Sequence, residues 1–252
     1  MISKSKSRIK IAHLNIQSIS DKLVLLNDFI VNNEIDIICL NETFLTKNKS
    51  IQIDNYSILR KDRLGRGGGV AIVIHNSIKY KIVDFDANCE YIAVKFESNS
   101  ILNNFLLVSY YNPPNIKLNS YFLNAIFKAN QKVLLLGDLN AHHQLWNGKR
   151  NDAAGKIIYN NIIDNDLVLL NDDSMTYQPP SGRTESIIDF AISSTQVAEQ
   201  VSDFIVSDEL HSDHLTLIVT LKYNGPHIGA FPANSKEVCL VKSLNFENWT
   251  MN

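Results

Sequence analysis

The fold of this chain is decided by a stretch that passes from apolar to polar within a few residues, Leu135-Leu136-Gly137-Asp138-Leu139-Asn140-Ala141-His142. The apolar part has the pattern of a buried strand, and an acid and an amide follow directly. Because residues i and i+2 of a strand point to the same side of a sheet, Asp138 and Asn140 can share one pocket. A carboxylate and an amide in one pocket can hold an activated water and a phosphate oxygen. The stretch therefore predicts a sheet that carries chemistry at its edge.

Similar polar groups lie at the ends of other apolar runs. Asn15 and Glu42 each follow such a run, and the pair Asp213-His214 comes just before another. The polar groups are thus placed at strand ends and are not scattered through the chain. Strand ends are where a sheet exposes functional side chains on a rigid scaffold.

The composition is that of an ordinary globular protein. The 252 residues are 45% hydrophobic and 20% charged, which suffices for a sizeable core in one large domain or two small ones. No apolar run approaches the roughly 18 residues of a membrane span, and the basic start lacks the apolar core of a signal peptide. We therefore expect an intracellular protein with no membrane partner.

Charge and cysteine content narrow the function classes. A net charge of −2 is unlike that of a protein that coats DNA by charge alone. A nuclease can still be neutral overall, because a bound cation reverses the local sign of an acidic site. The three cysteines, Cys39, Cys89 and Cys239, are widely spaced, which argues against a disulfide framework and against a structural zinc site.

Strand patterns outnumber helix patterns along the chain. Strands are predicted at residues 9–16, 35–41, 56–61, 69–75, 90–96, 105–111, 132–138, 167–171, 187–193, 201–206 and 214–221. Helices are predicted at residues 20–33, 118–130 and 153–165. Ser20 or Asp21 is the expected N-cap of the first helix. Many strands with few helices between them favour two mostly antiparallel or mixed sheets packed face to face, with helices outside, over a Rossmann arrangement.

The pattern weakens towards the end of the chain. Gly225-Pro226 and Phe231-Pro232 are turn or linker signals. We place the end of the main domain near Lys222. Residues 223–252 are then expected to be a linker or tail.

The chemistry of the polar groups points to a hard cation. Glu42, Asn15, Asp138, Asn140 and Asp213 offer only oxygen donors, which suit Mg²⁺ or Mn²⁺ better than zinc. Each group also has a simpler interpretation, since an isolated glutamate is more often a solvated loop acid. The occurrence of several such groups at strand ends is what favours a metal site.

His214 fits such a site as a phosphate-facing acid, base or hydrogen-bond donor. A serine-protease triad is excluded because no Gly-x-Ser-x-Gly elbow or separate nucleophile is visible. Asp189 is the candidate to orient the imidazole, although a buried, capped acid is an equally good interpretation of it alone.

Two further motifs favour structural roles. The stretch Arg63-Leu64-Gly65-Arg66-Gly67-Gly68-Gly69 lacks the Gly-Lys-Ser/Thr ending of a P-loop and opens a strand, so a hairpin connection is expected, with the arginines near DNA backbone as an alternative. His142-His143 has no further spaced ligands that would make a metal site, so the pair is expected to lie in a loop.

Tyr110 or Tyr111 is expected to lie near the rim of the site, or in the core.

In order along the chain, these motifs resemble those of the endonuclease/exonuclease/phosphatase superfamily, and most of all the apurinic-type endonuclease domain of non-LTR retrotransposons. The motifs are Leu14-Asn15-Ile16, Glu42-Thr43-Phe44-Leu45, Gly67-Gly68-Gly69-Val70-Ala71-Ile72, Tyr111-Asn112-Pro113-Pro114, Gly137-Asp138-Leu139-Asn140-Ala141-His142, Ile188-Asp189 and Ser212-Asp213-His214. The resemblance covers about residues 8–222. It implies a DNase I-like, four-layered α/β sandwich that cuts phosphodiesters with Mg²⁺ or Mn²⁺.

The resemblance also implies roles for individual residues. Glu42 and Asn15 hold the metal, with Asp213 beside it or at a second site. Asp138 orients or deprotonates water. Asp189 positions His214, whose role as base or charged stabiliser stays open. The substrate-side residues are Asn140, Tyr111, Thr176, Ser212 and Arg183.

For the function as a whole, the resemblance implies a DNA endonuclease that leaves a 3′-hydroxyl for target-primed reverse transcription. The partners would be DNA, at a nuclear site of action, and a reverse transcriptase domain in a full-length element. In related enzymes a hairpin corresponding to residues 178–184 is thought to enter the minor groove. The alternatives are an abasic-site repair nuclease, an RNA deadenylase, a lipid or inositol phosphatase, or an inactive DNA-binding remnant.

Overall fold

The computed structural model describes residues 8–97, 102–146, 148–180 and 184–222. The predicted substrate residue Arg183 and the predicted linker or tail at residues 223–252 lie outside these ranges. The strands, in chain order, are β1 Arg8–Asn15, β2 Ile37–Asn41, β3 Tyr56–Lys61, β4 Val70–His75, β5 Tyr80–Val83, β6 Glu90–Phe96, β7 Phe105–Tyr111, β8 Lys132–Asp138, β9 Leu167–Leu169, β10 Asp189–Ser194, β11 Val201–Ser207 and β12 Thr216–Lys222. The helices are α1 Leu23–Asn32, α2 Ser120–Ala129, α3 Ala153–Asp164 and α4 Thr195–Ala198, with a 3-10 turn at Gln144–Trp146.

The strands form two mixed six-stranded sheets. The first has the order β11-β12-β1-β2-β4-β3 and the second the order β5-β6-β7-β8-β10-β9. β1 runs parallel to β2 and β7 runs parallel to β8, while the other pairs are antiparallel. The prediction of two mixed sheets with flanking helices is confirmed.

Side-chain alternation along each strand builds the layers. In β1, Ile9 and Ile11 point into the apolar layer between the sheets, whereas Ala12 and Leu14 pack with helix α1 on the outer side. The second sheet follows the same rule. Leu134 and Leu136 of β8 face the central layer, and Val133 and Leu135 face α2 and α3. The result is a helix–sheet–sheet–helix sandwich.

The three predicted helices begin and end within three residues of the predicted positions, whereas the four-residue helix α4 was not predicted and the predicted N-cap of α1 is not found. α1 begins at Leu23, and its N-cap residue Lys22 makes no side-chain capping bond, so the prediction of Ser20 or Asp21 as the cap is wrong. Lys22 Nζ donates instead to the carbonyl of Ile16. None of the helices in the described ranges is long and apolar enough to cross a membrane.

The glycine-rich stretch is a hairpin connection, as predicted. It joins the antiparallel strands β3 and β4. Gly69 has a φ of +86°, and a Cβ there would lie 2.8 Å from Thr43 Oγ1, so only glycine fits. The loop is tied to the second sheet through Glu90, which accepts hydrogen bonds from Gly69 N (2.8 Å) and from Arg63 Nε (2.6 Å).

One strand ends earlier than predicted because a side chain replaces backbone pairing, and one edge strand was missed. β9 ends at Leu169, two residues earlier than expected. Beyond it, the side chain of Asn171 donates to the carbonyl of Asp189 (2.9 Å) and accepts from Ala191 N (2.9 Å). These two bonds take the place of the backbone hydrogen bonds that a longer β9 would make with β10. The edge strand β5 was not predicted, because its burial does not alternate strongly enough to signal a strand.

Candidate active site

The candidate site lies where the apolar layer between the sheets becomes polar at one end. Four strands contribute their terminal, inward-facing positions. These residues are Asn15 on β1, Tyr111 on β7, Asp138 on β8 and Asp189 on β10. Each continues the face that carries core residues further along the same strand. The site is therefore a polar extension of the hydrophobic core, held by rigid elements.

Gly137 explains how Asp138 reaches this position. A Cβ at Gly137 would lie 1.8 Å from the carbonyl oxygen of Tyr110, so no side chain fits between β8 and β7 there. Asp138 N then donates to Asn41 Oδ1 (2.9 Å), which fixes the backbone at the end of the strand.

Acidic side chains gather around Asn15. Its Nδ2 donates to Glu42 Oε1 (3.0 Å) and to Asp138 Oδ2 (2.9 Å), and the hydroxyl of Tyr111 donates to the same Glu42 oxygen (2.6 Å). Glu42 has a φ of +52°, a conformation that L residues rarely adopt. The strained backbone turns its carboxylate back towards the strand ends.

Asp213 lies beside this group. Its Oδ2 accepts from Gln17 Nε2 (3.2 Å), and the preceding Ser212 donates through Oγ to the carbonyl of Asn15 (3.2 Å). Asp213 Oδ1 is buried and has no hydrogen-bond partner within the part of the chain that the structure describes. We refer to Asn15, Glu42, Tyr111, Asp138 and Asp213 as the acid cluster.

A second group surrounds Asp189. Its Oδ2 accepts from His214 Nδ1 (2.8 Å) and its Oδ1 accepts from His13 Nε2 (3.0 Å). His13 and Asp189 are fully buried, and His214 is 5% exposed. We refer to these three residues as the histidine cluster. Asp189 pairs with Asp138 across β10 and β8, so the two clusters adjoin.

Charge interactions shift the pKa values of the histidine cluster in opposite directions. Burial by itself would raise the pKa of Asp189, but the charge of His214 and the hydrogen bonds from both histidines hold it well below its usual value. Burial would lower the pKa of His214, but the charge of Asp189 and their hydrogen bond raise it to about 9, helped by Asp138 and Asp213. The pair is therefore an ion pair at neutral pH.

In the acid cluster, burial is the main cause of the shifted pKa values of Asp138 and Tyr111. Desolvation and the charge of Asp189 raise the pKa of Asp138 to about 8. Desolvation, together with the hydrogen bond to Glu42, also raises the pKa of the Tyr111 phenol. Two carboxyl groups on adjacent strands thus differ widely in acidity, as they do where one serves as a base and the other as a fixed anion.

The remaining predicted substrate residues lie around these clusters. Asn140 donates from its backbone to Asp138 Oδ1 (3.1 Å) and from its side chain to the carbonyl of Asn112 (3.1 Å). Thr176 is fully buried, and its Oγ1 accepts from the backbone N–H groups of Ile188 and Asp189. Thr176 is placed in the wall of the site, where it supports Asp189.

The donor atoms of the acid cluster fit a hard cation. The cluster has only oxygen donors, and the buried Asp213 Oδ1 lacks a partner among the described residues. The ligand atoms of Asp138, Asp189 and His214 also lie within 4.8 Å of one another. Both oxygens of Asp189 are engaged by histidines, however, so the acid cluster is the better place for a cation.

Sequence reasoning did not assign roles to His13, Gln17 or Asn41. A signal for His13 was available, because it lies two residues before Asn15 and therefore on the same face of β1. Asn41 likewise lies two residues after Cys39, and therefore on the face of β2 that meets the central layer. Both Tyr110 and Tyr111 were considered for the rim, and the structure brings Tyr111 to the site while Tyr110 packs with Phe122.

Comparison with known proteins identifies relatives of this chain by sequence. Residues 105–218 match the family described as endonuclease-reverse transcriptase. The probable RNA-directed DNA polymerase from transposon BS of Drosophila melanogaster is 25% identical over 234 residues, which is 89% of this chain and 25% of that protein. The chain spans about a quarter of the length of the curated relatives it matches.

Solved structures share the fold. The endonuclease domain of TRAS1, a telomere-specific non-LTR retrotransposon, superposes with a TM-score of 0.73 at 18% identity, covering 86% of this chain and 99% of that one. An AP endonuclease from Archaeoglobus fulgidus superposes with a TM-score of 0.66 at 20% identity, covering 84% and 99%. The chain therefore has the DNase I-like fold of the endonuclease/exonuclease/phosphatase nucleases, and its residues 105–218 match the endonuclease-reverse transcriptase family.

Proposed function

We propose that this chain is a Mg²⁺-dependent DNA endonuclease that hydrolyses one strand and leaves a 3′-hydroxyl end. The observation that carries the proposal is the convergence of Glu42, Asn15 and Asp138 within hydrogen-bonding distance, directly beside the ion pair of the histidine cluster. Hydrolysis of a phosphodiester needs an in-line nucleophile, neutralised phosphoryl oxygens and a stabilised leaving oxygen. The two clusters together offer groups for each requirement.

Glu42 and Asn15, with Asp213 beside them, would hold Mg²⁺ or Mn²⁺. A cation held there would polarise the phosphoryl oxygens and stabilise the charge of the leaving oxygen. Tyr111 donates to Glu42 and so orients the carboxylate that faces the cation.

Asp138 is the group that orients the attacking water and accepts its proton. Burial and the charge of Asp189 raise the pKa of Asp138 to about 8, close to neutrality, which suits a group that takes up and releases a proton. His214 has a pKa of about 9, which supports a role as a charged hydrogen-bond donor to the phosphate. Asn140 and Ser212 flank these groups and would contact the substrate.

The segment next to His214 would contact DNA outside the scissile bond. The backbones of Tyr177 and Ser186 exchange two hydrogen bonds (3.0 and 3.1 Å) and so close the base of the segment that includes residues 178–184. The ring of Tyr177 lies 4.8 Å from that of His214. A segment anchored beside the reacting phosphate is well placed to read groove shape, and Arg183 within it would contact the backbone.

The proposed biological role is to supply the 3′-hydroxyl end that primes reverse transcription. The curated relatives are named RNA-directed DNA polymerases, and a 3′-hydroxyl is the primer that such a polymerase needs. The partners would thus be nuclear DNA and a reverse transcriptase domain of the same element.

A plasmid nicking assay tests the proposal. Purified protein is expected to convert supercoiled plasmid to the open circle with Mg²⁺ or Mn²⁺ and to stop when a chelator is added. Extension of the nicks by a DNA polymerase without prior phosphatase treatment would show the 3′-hydroxyl. Full activity in the chelator would overturn the metal role. Activity only on phosphomonoesters or phosphoinositides would assign the chain to another reaction of the superfamily.

A further inference from the structure

One buried histidine takes no part in the mechanism described so far. His13 lies on β1 in the first sheet, fully buried, and its Nε2 is 3.0 Å from Asp189 Oδ1 on β10 of the second sheet. The two residues are 176 positions apart in sequence. A buried polar side chain that reaches across the core to a single carboxylate oxygen calls for an explanation.

We propose that His13 is a positioning residue that fixes Asp189, and through it His214, for phosphodiester hydrolysis. The expected effect of His13 on the rate of hydrolysis rests on the proposed nuclease function. The geometry itself stands independently, because it consists of one carboxylate held between two imidazoles.

The carboxylate of Asp189 needs both donors to have one orientation. Its Oδ2 accepts from His214, and without His13 its Oδ1 would have no side-chain donor among the hydrogen bonds of the described residues. Asp189 would then be free to rotate about its Cβ–Cγ bond, and a buried acceptor would be left without a partner. Either change would alter the direction in which His214 points.

The other contacts of Asp189 fix only its backbone. Thr176 Oγ1 accepts from Asp189 N (3.0 Å), and Asn171 Nδ2 donates to Asp189 O (2.9 Å). The side chain therefore depends on the histidines. The orientation of His214 depends in turn on a residue of the first sheet, so the site is correctly formed only when the two sheets are packed.

His13 cannot contact substrate, because its side chain is fully buried. Its replacement should therefore lower kcat and leave KM for plasmid nearly unchanged. Loss of a residue that orients a functional group typically costs about 10-fold to 100-fold. We expect a fall in kcat of this order for His13→Leu, which removes the N–H donor but keeps a side chain of similar bulk.

Three companion variants separate positioning from packing. His13→Gln keeps a neutral N–H donor and is expected to recover much of the lost kcat. Ile11→Ala changes the same face of β1 two residues away and is expected to lower the thermal midpoint with little change in kcat, as a matched core control. Once Asp189 is replaced by alanine, adding His13→Leu should lower kcat no further, because His13 acts through that carboxylate.

A spectroscopic measurement does not depend on activity. In protein labelled with ¹⁵N-histidine, the Nδ1 proton of His214 is expected to give a hydrogen-bonded, slowly exchanging signal. His13→Leu should shift or broaden this signal, and Ile11→Ala should not.

The outcomes are distinct. If wild-type protein nicks DNA and folded His13→Leu protein is equally fast with an unchanged His214 signal, the positioning role is overturned. Equal losses of kcat in His13→Leu and His13→Gln, with the His214 signal unchanged, would also overturn it. If wild-type protein does not nick DNA, the proposed function fails, and the His214 signal still decides whether His13 orients the pair.

Discussion

The acid cluster and the histidine cluster occupy the same end of the sandwich but differ in how completely their carboxylate oxygens are paired. In the histidine cluster, both oxygens of Asp189 have donors and the residues are buried. In the acid cluster, Glu42 is partly exposed and strained at φ +52°, and a buried oxygen of Asp213 lacks a partner among the described residues. The carboxylate of Asp189 is thus fully paired within the protein, although His13 Nδ1 has no partner among the described residues, whereas the acid cluster has the oxygen ligands to receive a cation.

Both clusters combine residues from inside and from outside the region that matches the family. The family match covers residues 105–218 and so includes Asp189 and His214, but it begins after His13, Asn15 and Glu42. Each cluster therefore joins a residue of the first sheet to residues of the matched region. Neither cluster exists until both sheets are packed together.

The largest effect is expected from emptying the acid cluster. Chelation, or Glu42→Ala, should lower the nicking rate by about 100-fold or more, because each removes charge stabilisation of the transition state. Glu97→Ala changes an exposed acid paired with Lys81 on an edge strand and serves as the control. Rates are read from conversion of supercoiled plasmid, with thermal unfolding as a check of the fold. Normal nicking by folded Glu42→Ala protein would contradict the assignment.

Variants of the histidine cluster should lose nicking activity but keep metal binding, unlike variants of the acid cluster. His214→Ala and Asp189→Asn are expected to lower nicking by about 100-fold, since they remove or misdirect a charged donor. His214→Ala should still be stabilised against heat by Mg²⁺ or Mn²⁺, as wild type is, whereas Glu42→Ala should lose that stabilisation. His142→Ala changes a loop histidine and is expected to behave like wild type. Loss of metal-induced stabilisation in His214→Ala would break the distinction between the clusters.

The ion pair of Asp189 and His214 predicts a pH window for stability. The pKa of Asp189 is lowered from 3.8, so its contribution to the free energy of unfolding is present above about pH 3.8 and is lost as pH falls. The pKa of His214 is raised from 6.5 to about 9, so its contribution is complete below pH 6.5 and is lost as pH rises towards 9. In urea unfolding with a chelator, wild type should exceed Asp189→Asn most between these limits. A difference that does not vary with pH would contradict the ion pair.

The smallest effect on rate is expected outside both clusters. Replacing residues 178–184 with a short Gly-Ser turn should redistribute nick positions, mapped by primer extension, while metal dependence and total nicking stay close to wild type. The reason is that this segment adjoins His214 through Tyr177, while its described residues supply no group to either cluster. An unchanged pattern would place the choice of target elsewhere, with the Arg60 to Arg66 segment as the next candidate.

Local patterns were sufficient to predict most of the fold. The strands Tyr56–Lys61, Glu90–Phe96, Phe105–Tyr111 and Lys132–Asp138 begin and end where the sequence indicates. Apolar runs with polar ends carry that information within a few residues. The prediction was less accurate where a side chain takes over backbone pairing, as at Asn171, or where a short edge strand such as β5 is half-exposed.

The sequence by itself determined which residues stand at strand ends and that their donors are oxygens suited to a hard cation. It could not determine which of those ends meet, because a contact such as His13 to Asp189 joins positions 176 residues apart on different sheets. Such contacts depend on how two apolar faces pack, and packing leaves no local pattern in either strand. Only the tertiary structure placed a second histidine on Asp189 and so paired both oxygens of that carboxylate, while Asp213 Oδ1 has no partner among the described residues.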